Sequence, residues 1–169
     1  IQFLVECRPL SVSMGNAINQ LKRDIEARQL ACADEDESEQ QCKEKLIDGI
    51  DAFCQQRIVL ADQVIVDNGK RFIVDGDVVL THARSNCVEA LLKRCHDERK
   101  RFTVYVVDSR PRHEGRELLR RLSSHGLRCH YLLLSSMCYV LRDVTKVVVG
   151  AGSMLNNGAL VSRVGTAAV

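Results

Sequence analysis

Apolar residues recur at intervals of three and four near the start of the chain, with Met14, Ala17, Ile18, Leu21 and Ile25 on one stripe. That is the period of an amphipathic helix, predicted to run to about Leu30. Ser11 or Ser13 stands where a hydroxyl caps the first free amides. The stretch ADEDESEQQ, residues 33–41, breaks the stripe with like charges and predicts a solvent loop. The stripe resumes with Leu46, Ile50, Phe53, Cys54, Ile58, Ala61, Val64 and Ile65, predicting a longer second helix packed on the first. Asp67-Asn68-Gly69 reads as the turn that ends this helical module, residues 1–69.

Beyond Asp75-Gly76 the pattern changes to short continuous apolar runs. VVLTH (78–82), FTVYVVD (102–108), RCHYLLL (128–134) and KVVVGAG (146–152) read as strands. Between them lie helical patterns, one turning Val88, Leu91, Leu92 and Cys95 inward and another, His113 to Ser124, turning Leu118, Leu119 and Leu122 inward. Gly126 is placed to end the second, and a shorter helical piece is predicted around Met137 to Leu141. The alternation predicts an α/β domain over residues 70–169, a largely parallel sheet with helices on both faces. In such a sheet ligands bind beyond the carboxyl ends of the strands. Any site therefore belongs to the loops THARSN, DSRPRHEG and GAGSMLNNG, whose strands end at His82, Asp108 and Gly150.

Composition narrows the function classes. A formal charge of +2 provides no global field for nucleic acid, and three tyrosines, four phenylalanines and no tryptophan provide little stacking surface. Basic density is local, in KRCHDERKR (93–101) and RPRHEGRELLRR (110–121), which read either as solvated helix faces or as a surface for an acidic partner or a phosphate. The eight cysteines form no CxxC pair, so zinc is not expected; Cys54, Cys95 and Cys129 read as small buried hydrophobes in a reducing compartment. No apolar run reaches membrane-spanning length and no secretory leader is read. The chain opens on IQFLVECRP and stops on VGTAAV, which reads as a fragment.

Three chemical readings follow. Gly150-Ala151-Gly152 lacks the third glycine of a dinucleotide fingerprint, since position 155 is Leu, and no phosphate-loop motif occurs; no cofactor is expected. Cys87, in the first turn of a helix where a thiol pKa is depressed, forms with His82 and Asp108 a candidate nucleophilic constellation, or simply packs. Arg8 and Arg110, each before a proline, and Arg163, close to Gly165-Thr166, either hold a phosphate among exposed amides or form salt bridges within their loops.

Four ordered motifs then carry a family resemblance across nearly the whole chain: ECRPLSVSMGNAI (6–18), GDVVLTHARSN (76–86), VVDSRPRHEGRELLRRL (106–122) and VVVGAGSMLNNGALVSRVGTAAV (147–169). They resemble the delta-subunit family of the eukaryotic guanine nucleotide exchange factor for translation initiation factor two. That superfamily also holds isomerases of methylthioribose 1-phosphate and ribose 1,5-bisphosphate. The resemblance implies a Rossmann-like domain, here truncated at its C-terminus, behind a helical module. In the isomerases a catalytic Cys follows the Thr-His pair and an Asp ends the later loop; this chain has Ala83 and Gly152 there. Arg163 stands where they commonly have Lys. The resemblance therefore implies no catalytic residue and no enzyme, with Arg8, Arg110, Arg163, Gly165 and Thr166 as a vestigial phosphate frame. It implies a cytoplasmic regulatory subunit that senses phosphorylated initiation factor two. The implied partners are the related alpha and beta subunits, the two larger subunits and initiation factor two itself, with no nucleic acid, membrane or metal. The alternatives are an isomerase with displaced catalytic groups and a phosphate sensor without turnover.

Overall fold

The computed structural model describes residues 3, 6, 11–34 and 39–169. The chain divides into two compact units, Ile1–Ala61 and Asp62–Val169.

In the first unit, α1 spans Val12–Asp34 and α2 spans Glu39–Cys54. Ser11 caps α1, its hydroxyl accepting from the Met14 amide at 3.3 Å. The two helices line one groove, with Leu21, Ala27, Leu46 and Ile50 on its walls. Of the loop expected over 33–41, residues 33–34 and 39–41 are helical instead, and 35–38 lie outside the described residues. Glu and Gln, at 39–41, are good helix formers. A π-helical turn follows at Gln55–Val59. Cys54, just before it, is exposed rather than buried as its spacing predicted. Cys42 is disulfide-bonded, against the expectation of reduced thiols.

Helix α3, Leu60–Gly69, leads into the second unit. The turn expected at Asp67-Asn68-Gly69 does not form; the helix runs through Gly69 and tightens into a 3-10 turn at Lys70–Phe72. Gly69 serves packing instead, because a Cβ there would lie 3.1 Å from Leu91 Cδ1. The chain reverses at Asp75-Gly76, where Gly76 takes φ 85.

Four parallel strands follow: β1 Val78–His82, β2 Thr103–Asp108, β3 Arg128–Leu133 and β4 Lys146–Val147, in the order β3-β2-β1-β4. The register sets Val79 beside Val104 and Val104 beside Cys129. Helix α4, Asn86–Asp97, crosses from β1 to β2, and α5, Glu114–Ser124, crosses from β2 to β3. Both crossovers step the same way along the sheet, so right-handed connection places both helices on one face rather than on the two faces expected. There Val88, Leu91, Leu92, Cys95, Leu118 and Leu122 bury against Val79, Val104 and Val106. The chain then returns to the other side of β1, creating a switch in strand order between β1 and β4.

Strands β1 and β2 are buried almost throughout, whereas β3 and β4 are half open, as edge strands are. The piece expected to be helical near Met137 is a 3-10 segment, Leu134–Tyr139. Of the expected strand 146–152 only Lys146–Val147 pair in the sheet, and a short hairpin of β5 Ser153–Met154 and β6 Leu160–Val161 follows. Helix α5 ends at Gly126 as predicted: the Gly126 amide donates to Ser123 O and the Leu127 amide to Leu122 O, with Gly126 at φ 95.

Two polar clamps hold the opposite, amino-terminal edge. Asp77 is 7% exposed and accepts from the Lys146 ammonium, the Thr145 hydroxyl and the Val74 amide at 2.7, 2.8 and 2.7 Å, tying β4 to β1. Lys100 donates to the carbonyls of Lys70 and Ile73, capping the 3-10 turn after α3.

Candidate functional site

Backbone geometry at the carboxyl ends of β1 and β2 builds a small pocket of about 230 Å³. Its walls come from Ala83 after β1, the loop Asp108 to Glu114 after β2, and Arg163-Val164. Ala83 turns out of β1 with φ 53, its amide donating to Val107 O at 2.8 Å. His113, also left-handed at φ 49, stands at the start of α5 and aims the loop back toward the strand ends.

Asp108 forms the floor. It is 1% exposed; its carboxylate accepts from the Ser109 amide at 2.9 Å and from the Tyr131 hydroxyl at 3.0 Å. Helix α5 approaches it through Gly115, where a Cβ would lie 2.8 Å from the Asp108 Cγ. No other residue type leaves room for the carboxylate beneath the first turn.

A strap, residues 162–166, crosses the strand ends. Ser109 Oγ donates to Val164 O at 3.2 Å, and His82 Nδ1 lies 3.1 Å from Thr166 Oγ1. The Ser162 hydroxyl donates to Gly150 O. Gly165, at φ 99, packs on His82, where a Cβ would lie 2.9 Å from Nε2. His82 is 4% exposed, and its Nε2 has no hydrogen-bond partner. Burial pushes the imidazole below its ordinary pKa, with Arg163 adding to the shift and Asp108 opposing it, so His82 is neutral near pH 7. Gly150 serves close approach as its sequence suggested: a Cβ there would lie 2.5 Å from that of Ser85.

Of the residues read from sequence, Arg110 and Arg163 reach the same pocket. Gly165 and Thr166 lie beside His82 on the strap, and Arg8 lies outside the described residues. Arg163 is ion-paired with Glu114, and Arg112 Nη1 stands 3.7 Å from the other carboxylate oxygen of Glu114. Gly152, beside the hairpin, donates its amide to Val161 O at 2.8 Å. Cys87 does not carry the depressed pKa expected of it. Burial, and then the charge of Asp62, push its thiol up.

Sequence reasoning missed Glu114 as the partner of Arg163 and Gly115 as the seat of Asp108. A glycine in the first turn of a predicted helix was the available signal, because it costs helix propensity and so marks a close approach. Among the described residues no cluster of His, Cys, Asp and Glu is arranged to hold a metal, and no helix is long and apolar enough to cross a membrane.

Comparison with known proteins follows the same lines. A sequence model of the initiation factor 2 subunit family matches residues 1–169. Translation initiation factor eIF2B subunit delta of Dictyostelium discoideum is 46% identical over 169 residues, 100% of this chain and 26% of that protein. The ribose 1,5-bisphosphate isomerase of Archaeoglobus fulgidus is 30% identical over 166 residues, 98% of this chain and 50% of that enzyme. In three dimensions, a chain of the tetrameric eIF2B-beta2-delta2 complex from C. thermophilum aligns with TM-score 0.82 and 35% identity, over 94% of this chain and 50% of that one. The chain thus spans about a quarter of the Dictyostelium relative's length and half of the isomerase's.

Proposed function

Because the chain belongs to the initiation factor 2 subunit family, we propose that it is part of a delta-type regulatory subunit of the eIF2B exchange complex, acting in the cytoplasm by assembly rather than by turnover. In this reading it joins the related alpha and beta subunits and the larger subunits, and responds to phosphorylated initiation factor two. The likeness to a chain of a beta2-delta2 assembly supports the partnership.

One observation carries the absence of turnover. The pocket is lined by Asp108, Arg110, Arg112 and Arg163, but Ala83 stands at the position where the resemblance puts a nucleophilic sulfur, and Gly152 where it puts a proton-transferring carboxylate. A methyl group and a hydrogen supply neither chemistry. Cys87 is no substitute, since partial burial pushes its thiol pKa up and disfavours the thiolate.

Co-purification tests this reading. Proteins recovered with the full-length chain from its native cytosol, quantified by mass spectrometry against an empty-tag control, should be enriched in the beta and larger exchange-factor subunits. A single self-assembled species without them would refute the reading and direct attention to isomerase assays.

Arg110, Arg112 and Arg163, which all line the pocket, favour a second reading, in which the pocket binds a small phosphate without turnover. Three guanidiniums at a helix start suit a phosphate through paired, charge-assisted hydrogen bonds.

A further inference from the structure

Resting on the small-phosphate reading of the pocket, we infer that Glu114 sets the pocket's affinity for phosphate: it occupies the Arg163 guanidinium as an internal anion, with which a phosphate must compete. The two carboxylate oxygens of Glu114 are divided between two arginines of the pocket, one paired with Arg163 and the other 3.7 Å from Arg112. Glu114 itself lines the same cavity, and its side chain is 27% exposed. Arg110, which also lines the pocket, makes no ion pair among the described residues. The pocket thus holds one uncommitted guanidinium and two that share a carboxylate.

The strap makes this a gate and not merely a surface salt bridge. Arg163 is kept at the pocket independently of Glu114, because Ser109 Oγ binds the carbonyl of the neighbouring Val164 and Thr166 sits against His82. Breaking the ion pair therefore frees a guanidinium whose backbone stays anchored beside the pocket. No second carboxylate takes over, since Asp108 is buried and engaged by the Ser109 amide and the Tyr131 hydroxyl. A fixed negative charge about 4 Å from an incoming phosphate weakens its binding by roughly fivefold even at the dielectric of water, and by more in a partly enclosed site.

The test is a titration of inorganic phosphate into the full-length chain, followed by phosphorus NMR at constant ionic strength. The proteins compared are the parent, Glu114→Gln, Glu114→Asp, Arg163→Gln and the double variant Glu114→Gln with Arg163→Gln. Amide exchange across α5 checks that each variant keeps its fold. Glu114→Gln should bind about tenfold more tightly than the parent, Glu114→Asp should stay near the parent, and the double variant should lose the gain. If Glu114→Gln binds as the parent does while Arg163→Gln weakens binding, the gate is wrong and the phosphate pocket stands. If no protein binds phosphate, the pocket reading falls and the gate falls with it.

Discussion

Gly115→Ala should destabilise the sheet unit, although the same exchange in an ordinary helix is favourable. The added Cβ would stand 2.8, 2.9 and 3.0 Å from the Cγ, Oδ2 and Cβ of Asp108, a side chain 1% exposed and unable to swing into solvent. Shifting α5 away overpacks its contacts with the sheet and costs ~1–3 kcal/mol. Displacing Asp108 instead gives up its charged hydrogen bond from Tyr131, worth ~1.5–3 kcal/mol. Alanine's better helix propensity returns ~1 kcal/mol, which leaves a net loss of up to about 2 kcal/mol. For a unit of this size that lowers the melting temperature by up to roughly 10 °C. Gly15→Ala is the control: Gly15 lies inside α1 with nothing within 4 Å of the new methyl, so it should gain ~0.5–1 kcal/mol. The chain has no tryptophan, so far-UV circular dichroism in urea is the assay, with hydrogen exchange assigning the change to α5 or α1. Equal, stabilising effects at both positions would refute the argument that Gly115 is retained to seat Asp108.

Two further outcomes follow from the clamps at the other edge of the sheet. Burial pushes the Asp77 carboxyl up, but Lys146, the Val74 amide and Thr145 outweigh it and hold the group below its ordinary pKa. Its folded pKa is therefore lower than its unfolded one, so its contribution is full above about pH 4 and is lost as the pH falls through the folded value. Thermal melts of the parent should lose stability on acidification below about pH 4 more steeply than those of Asp77→Asn; parallel curves would remove Asp77 as the cause. Lys100→Met leaves the Lys70 and Ile73 carbonyls without their cap and should cost ~1–3 kcal/mol by urea denaturation. An unchanged midpoint would mean that water replaces the ammonium without loss.

The sequence alone determined the main strands and helices of the sheet unit and the strand-end loops that surround the pocket. Strands β1 and β2 were legible because unbroken apolar runs of their length bury on both faces, and α4 and α5 because Leu91, Leu92, Cys95, Leu118 and Leu122 repeat at helical spacing. Gly126 announced itself because the left-handed backbone that ends a helix favours glycine. Parallel topology then sent any site to the strand ends, where Arg110 and Arg163 line one pocket. What the tertiary structure decided are long-range properties that no local window contains. Gly69 looked like a turn residue and is a packing glycine, because the side chain that needs its space, Leu91, comes from another helix. The shared face of α4 and α5 follows from the direction in which strands are added to the sheet. The pairing of Arg163 with Glu114 joins residues 49 apart in sequence, and only the fold brings their charges within reach of each other. Periodicity records which face of an element seeks an apolar environment; which partner supplies that environment, or answers a charge, is settled by packing in three dimensions.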